Sequence, residues 1–504
     1  MTFDVVVAGA GPVGLLVASE LALRGVRVLV VERLTEPDLT IKAGSINVPT
    51  AEALDRRGLL PALRAAREAM LERLGLERRM GPERPGVAGA RPPRLAGHFG
   101  GIWISADDLD PSFAEDRGEA ATLQMVGQAD LERILFEHAT GLGAVVRRGV
   151  ALTGFEQDHD GVRVELGDET IECGWLVGCD GGRSLVRKLA GFDFPGTDPI
   201  ITGRQAIVEM TGADELRKGW NVTDSGLYVS GPFPGRVLTV EFDGPPIDRD
   251  APITAAELAA SIRRVSGVDV TVEKVVSATR FTDNARQATS YRQGRVLLAG
   301  DAAHVHSPFG GQGLNLGVGD AMNLGWKLAA EIQGWAPAGL LDSYTRERHP
   351  IGAWVLDWTR AQIAIMKPEP YSRALRGVLG DLARTEDGAT YMAASIGGLR
   401  QRYDLGSEDP RVGRSAPEVV LADGSRLADH LHGGAGVLIG AGRSADGRLE
   451  VVAPIRVAGA GEDGDGPAML VRPDGIVAWV AGDGDLGEAL RRWFGGVVAV
   501  PATV

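Results

Sequence analysis

Cysteine is almost absent. Cys173 and Cys179 are the only two in 504 residues, which in practice excludes a disulfide framework and fits a cytoplasmic setting. Their spacing suits neither a CxxC redox pair nor a zinc site. Both flank a predicted strand, where a small thiol is ordinary core material. Basic charge is also in short supply. With 53 Lys and Arg against 67 Asp and Glu, the formal net charge is −14, which disfavours nucleic acid and other polyanions as partners. No apolar run approaches the ~18 residues of a membrane span. The start of the chain lacks a basic n-region and a cleavage site, so neither a membrane anchor nor a signal peptide is expected. A second glycine-rich dinucleotide unit is missing too, and so is any local acid–base constellation that would mark a substrate-activating residue.

What is present is ordinary in bulk and specific in three places. At 44% hydrophobic and 24% charged, the chain reads as globular, and its length suggests two or three domains. The first specific place opens with residues 3–8, a continuous apolar run that predicts a buried strand. Gly9-Ala10-Gly11-Pro12-Val13-Gly14 follows, then an amphipathic helix stopped by Gly25, then a second buried strand over 26–31 ending at Glu32 and Arg33. This is the βαβ unit of a dinucleotide-binding fold. Gly9 makes the tight turn, and Gly11 lets a pyrophosphate approach the helix N-terminus. Gly14 allows close helix–strand packing, and Glu32 can accept hydrogen bonds from ribose hydroxyls.

The second place repeats that logic. A strand near 175–178 leads into Cys179-Asp180-Gly181-Gly182-Arg183-Ser184, with Arg187 beyond. The third is a strand over 295–299 followed by Gly300-Asp301-Ala302-Ala303-His304. It runs on through Pro308 to Gly310-Gly311-Gln312-Gly313-Leu314-Asn315, where a long periodic helix begins. An acid at a strand end, glycines and a helix N-terminus together suit an anionic or electron-accepting ligand. His304-x-His306 has no further ligands nearby, so a turn role is preferred and no metal is expected.

Elsewhere the pattern is coarser. Residues 145–146, 150–155, 162–166 and 170–173 read as short strands in a meander. The stretch 71–120 reads as an irregular excursion, and 190–285 as a sheet interrupted by one helix near 254–265. Helices over 340–348 and 351–365 flank Pro350, and a small α/β block begins near 409. Lys42 reads either as a solvated lysine or as a cation near the ligand. Gln128, at a predicted helix start, reads as a ligand donor or a turn residue.

The three motifs, in this order, resemble the group A flavoprotein monooxygenases of the para-hydroxybenzoate hydroxylase fold. The run 295–315, together with Asp320-Ala321-x-Asn323-Leu324-x-Trp326-Lys327-Leu328 and Tyr344-x-x-Glu347-Arg348, is similar to the subgroup that oxidises aromatic polyketides. The resemblance implies an α/β protein of three parts. A Rossmann-like FAD-binding domain would comprise 1–188 and 280–395. An inserted substrate domain with a mixed β-sheet would span 189–279, and a thioredoxin-like domain without redox cysteines 405–504.

The resemblance also implies site roles. Gly9, Gly11, Gly14, Glu32 and Arg33 would bind the ADP half of FAD. Asp180 and Gly181 would lie where FAD and transiently bound NADPH meet, Gln128 would contact the flavin side, and Asp301 would hold the ribityl chain or pyrophosphate. Pro308, Gly310, Gly311, Gly313, Leu314 and Asn315 would sit under the isoalloxazine, with Lys42 where many relatives carry an arginine. Lys42, Pro308 and Gly310 are the residues placed nearest the chemistry. The implied reaction is NADPH reduction of FAD, addition of O2 at flavin C4a, and transfer of one oxygen from the hydroperoxide to a polycyclic phenol or quinone in antibiotic biosynthesis. Baeyer–Villiger oxygenation of a related ketone is the alternative. A flavin halogenase would show Trp-x-Trp-x-Ile-Pro, which is absent, and intact motifs at Asp180 and Asp301 argue against a non-enzymatic binding protein. The expected assembly is a monomer or homodimer.

Overall fold

The computed structural model describes residues 2–40, 42–73, 95–114, 118–231, 234–421, 423–440, 455–458 and 468–495. The first layer is a six-stranded sheet in the order Arg292–Gln293, Val296–Leu298, Trp175–Gly178, Val5–Ala8, Val28–Glu32, Val145–Arg148. All its pairings are parallel except the edge hairpin. Parallel strands covered on both faces are apolar throughout, and Val5, Val6, Val7, Leu29 and Val30 are fully buried. The three glycine-rich turns all leave the carboxyl ends of adjacent central strands, where open α/β sheets bind ligands.

The meander differs in one respect from the sequence reading. Val145–Arg148 joins the parallel sheet as its edge, and only Gly154–Gln157, Val162–Leu166 and Glu169–Cys173 form the antiparallel meander. A short strand carries no local signal of which sheet it will enter. The excursion expected over 71–120 is partly regular: Leu95–Phe99 and Ile102–Ser105 pair as a hairpin, and residues 74–94 and 115–117 of it lie outside the described residues. Pro350 does not separate two helices, because Ser343–Met366 is continuous through it. Burial of that helix along most of its length outweighs the loss of one backbone hydrogen bond.

The second layer is a five-stranded sheet in the order Gly219–Thr223, Gly226–Ser230, Arg236–Glu241, Thr202–Thr211, Thr271–Phe281. Where a mixed sheet was expected, every pairing is antiparallel. Two hairpins join the first three strands, and helix Ala255–Ser266 carries the chain from Arg236–Glu241 across Thr202–Thr211 to Thr271–Phe281. One face carries that helix. The other faces the hairpin at 95–105 and helices Ser343–Met366 and Glu386–Ile396 through Leu227, Val229, Leu238, Val240 and Phe281.

In the C-terminal unit, Ile455–Ala458, Gly436–Ile439, Met469–Val471 and Val477–Val480 lie side by side. The first pair is parallel and the others antiparallel, in thioredoxin-like connectivity. Charge anchors it to the first domain. Arg57 forms a buried pair with Glu20 and donates to the carbonyls of Leu431 and Pro473. Glu347 accepts from Lys327 at 2.8 Å and from Arg472 at 3.0 and 2.8 Å. Burial would raise the Glu347 carboxyl, but Arg472 and Lys327 hold it well below the carboxylate range. The Asn323, Lys327 and Glu347 positions of the sequence motif therefore serve domain docking. Among the described residues no helix is long and apolar enough to cross a membrane.

Candidate functional site

The first turn is shaped by what cannot fit there. Gly9 has φ +106°, and a Cβ on it would lie 2.3 Å from the carbonyl oxygen of Cys179; one on Gly14 would lie 2.0 Å from that of Gly9. Strand, turn and helix therefore close on backbone alone. Gly11 is the opposite case, since no protein atom lies within 4 Å of where its Cβ would be. It caps the helix Pro12–Ala22 with no side-chain acceptor and no acid in the first turn, so the end of the helix offers free N–H groups beside open space. Both Glu32 oxygens accept backbone hydrogen bonds at 2.9 Å, one from Ala10 and one from Leu34. Each keeps a lone pair for a ribose hydroxyl. Arg33 is exposed beside it.

Asp180 is tied down on one side only. Its Oδ2 accepts from the Leu185 and Val186 N–H groups at 2.7 and 3.1 Å, while Oδ1 is buried with no hydrogen-bond partner. A buried carboxylate oxygen left unsatisfied is costly, and a ligand hydroxyl would satisfy it. Gly181 follows at φ +80°. Arg187 joins the second motif to the third, donating to the carbonyls of Gly182 and Ala302, both at 2.9 Å.

The third motif stands on a buried ion cluster. Asp320 accepts from His304 Nε2 at 2.6 Å, Arg348 Nε at 2.8 Å and the Gly300 N–H at 3.0 Å. Burial would raise its carboxyl, but His304 and Arg348 outweigh that and lower it. His304 thus orients the turn, and His306 Nδ1 lies 2.8 Å from the carbonyl oxygen of Ser307. Asp301, above this cluster, is exposed, and a Cβ on Gly313 would lie 4.0 Å from its Oδ1. Helix Gln312–Gln333 begins at Gly311 in the left-handed conformation, again with no side-chain cap and no acid in its first turn. Pro308 is exposed at the loop, and Gly310 packs against Gln362. Asn315 spans to the facing segment: its Oδ1 accepts from the Asn47 N–H at 2.9 Å and its Nδ2 donates to Gly311 O at 2.7 Å.

Lys42 lies in that facing segment, exposed and paired with Asp38 at 2.8 Å. Burial alone would raise the Asp38 carboxyl, but Lys42 and Thr40 together bring it down to about 2. The Gln128 N–H donates to the carbonyl of Ala43 at 2.9 Å, which places the start of its helix beside this segment. These contacts set the three turns, the 42–47 segment and the helix at Gln128 beside one another at the carboxyl end of the parallel sheet. A cavity of about 400 Å³ behind it, between Asn47, Met322, Tyr403 and Glu418, touches none of the motif glycines.

Two free helix N-termini, an open Gly11 and an unsatisfied Asp180 oxygen fit a long ligand with a pyrophosphate, a hydroxylated chain and a ring, which is the make-up of FAD. The family described as FAD binding domain matches residues 2–359, and the aromatic-ring hydroxylase C-terminal domain matches residues 409–496. The chain belongs to the FAD-dependent aromatic-ring hydroxylases. It is, with its relatives, a flavin-dependent monooxygenase. The rifampicin monooxygenase of Streptomyces venezuelae is 42% identical, over 99% of this chain and 100% of its own. The anhydrotetracycline hydroxylase OxyS of Streptomyces rimosus superposes with a TM-score of 0.83 at 37% identity, over 99% and 100% of the two chains. The Diels-Alderase PyrE3 of pyrroindomycin biosynthesis superposes at 0.81 with 38% identity, over 98% and 99%.

In this hydroxylase an aromatic cluster that the sequence did not point to packs against the 307–311 loop. Phe309, in the loop before the helix, packs against Trp220 at 5.7 Å and Phe281 at 5.8 Å. A Cβ on Gly203 would lie 2.2 Å from the Phe281 ring, so the glycine makes room for it. His98 lies 4.4 Å from Trp220. His98 reaches this layer from the hairpin at 95–105. The layer's other members are scattered along the chain and meet only in the fold.

Proposed function

We propose that this hydroxylase uses NADPH and O2 to hydroxylate a polycyclic aromatic polyketide, a phenol or quinone, in natural-product biosynthesis. The observation that carries the reading is the loop 307–311. Gly311 is open and starts a helix with no side-chain cap, so it would offer N–H groups to the cofactor, while Phe309 of the same loop packs against Trp220 and Phe281 and would face the substrate. The names of the rifampicin and tetracycline monooxygenases support the substrate class. Bound FAD supplies the redox chemistry, taking a hydride from NADPH and activating O2 for transfer of one oxygen atom.

The protein's own residues do the rest. The N–H groups at Gln312–Gln333 would stabilise negative charge on the ring edge that faces them. Asp180 and Asp301 would hold hydroxyls of the cofactor's chain. Lys42, close to the cleft, would add positive charge there. The aromatic layer keeps water from the reacting atoms. With no second glycine-rich unit in the sequence, NADPH would bind transiently in the same cleft. A cytoplasmic monomer or homodimer is consistent with this reading.

Turnover under 18O2 with NADPH and a panel of polycyclic phenols and quinones, read by mass spectrometry, tests it. Label in a new hydroxyl is the expected result, and label in a ring ester would assign Baeyer–Villiger chemistry instead. Product formed without label or NADPH consumption would place the protein with the cyclising relative.

A further inference from the structure

Two glycine tips meet on one turn of helix Ser343–Met366. One is Gly100, at the end of the hairpin formed by Leu95–Phe99 and Ile102–Ser105, with φ +53°. The other is Gly310, in the loop that leads into helix Gln312–Gln333, with φ +82°. Between them stands Gln362, which is fully buried. Its Oε1 accepts from the Gly100 N–H at 3.0 Å, and its Nε2 donates to the Phe309 carbonyl at 3.4 Å. A Cβ on Gly310 would lie 2.7 Å from that Nε2, and one on Gly100 would lie 3.3 Å from the Gln362 carbonyl oxygen. Both tips therefore press against the same residue.

The carboxamide is matched to this place. An N–H can meet only its oxygen and a carbonyl only its NH2 group, so the two contacts fix which way it points. Each tip also has a tether of its own. Arg376 of helix Pro370–Leu382 donates to the Gly100 carbonyl at 2.6 Å, and Gln312 Nε2 donates to the Gly310 carbonyl at 2.8 Å. Gln362 is the side chain that reaches both tips. What the tips carry gives the link its consequence. The hairpin brings His98 to 4.4 Å from Trp220, and the loop brings Phe309 to 5.7 Å from the same ring. The loop also runs into the uncapped helix start at Gly311. Without the carboxamide, a buried N–H and a buried carbonyl would lose their partner, and the two tips would no longer be held in register.

We propose that Gln362 is a positioning residue that locks the 307–311 loop to the tip of the 95–105 hairpin, and so sets the distance between the substrate's reacting carbon and the cofactor. The proposal rests on the function proposed above and assigns the side chain that aligns its two partners. Gln362 acts through Phe309 and Gly100. Oxygen transfer tolerates little misplacement, since a shift of roughly 1 Å costs on the order of a hundredfold in rate. Where transfer fails, the reduced oxygen leaves as hydrogen peroxide, by NADPH + H+ + O2 → NADP+ + H2O2.

Two readouts on the FAD-loaded enzyme test this, with FAD content as the check on folding. The first is amide hydrogen exchange of segments 95–105 and 307–315, read by mass spectrometry. Gln362→Met keeps the length of the side chain and loses both hydrogen bonds, so exchange should rise about tenfold in both segments. Gln312→Met should loosen the loop alone, and Arg376→Met the hairpin alone. Gly310→Ala is an independent arm, because its methyl would displace the carboxamide and should loosen the hairpin as well as the loop. The second readout is the fate of oxygen, with the phenol or quinone of the 18O2 panel that the parent enzyme hydroxylates. Gln362→Met should release about tenfold more hydrogen peroxide per hydroxylated product, with KM within about threefold of the parent value. Loosening of only one segment in Gln362→Met and Gly310→Ala, or an unchanged peroxide ratio, overturns the proposal and leaves the proposed function standing. A parent enzyme that hydroxylates none of the panel overturns that function, and the proposal with it.

Discussion

The two sides of the loop 307–311 are built in opposite ways. On the flavin side the working parts are backbone: glycines whose Cβ would strike a carbonyl, N–H groups at two helix starts, and acids held by main-chain donors. On the proposed substrate side they are side chains from separate stretches, among them His98, Trp220, Phe281 and Phe309. A backbone-built site hardly changes without breaking. A side-chain-built site is altered one residue at a time, leaving the sheet beneath it intact.

The comparison can be broken most sharply at the first turn. Gly14→Ala places a methyl 2.0 Å from the Gly9 carbonyl, and a loss of about 3 kcal/mol or more is expected, seen as a lower melting temperature and colourless protein. Gly11→Ala, with no protein atom in the way, should keep the fold and lose FAD, because the methyl takes the ligand's space. Full flavin content in Gly11→Ala would refute the pyrophosphate assignment. Asp301→Ala comes next: it removes charge-assisted hydrogen bonds, so FAD should bind roughly ten- to a hundredfold more weakly, measurable by flavin release on dilution.

Gly203→Ala should act on the other side alone. It displaces the Phe281 ring, and KM should rise about tenfold with flavin content unchanged; a parallel loss of FAD would show that the two sides are not independent. The smallest effect is one of pH. His98 has an ordinary value of 6.5 and a folded value of about 4. Between those pH values the unfolded chain takes up a proton that the folded chain refuses, so stability falls as pH drops through the window and is unaffected above it. The melting temperature of His98→Phe should fall less steeply there, and identical slopes would mean that His98 is not held neutral.

The flavin side was legible because its signals are local. Gly9, Gly11, Gly14 and Glu32 lie within one βαβ unit, and Asp180 and Asp301 each follow a buried strand directly. One sequence feature kept its turn role in the fold and another gained a new meaning. His304 orients the third turn through Asp320, and Asn323, Lys327 and Glu347 tie the first domain to the C-terminal unit. The hairpin at 95–105 was unreadable because its strands are short and glycine-bounded, and nothing local says that it packs over the substrate sheet.

By itself, the sequence determined the order of the three turns, the glycines each requires and the ligand they imply, because backbone closure and helix starts depend on neighbours within a few residues. Tertiary structure alone decided which aromatic rings meet around Phe309. His98, Trp220, Phe281 and Phe309 are brought together by a hairpin, a sheet and a loop that touch only after each has packed. Contacts between elements that distant in the chain are set by packing, and no local pattern encodes them.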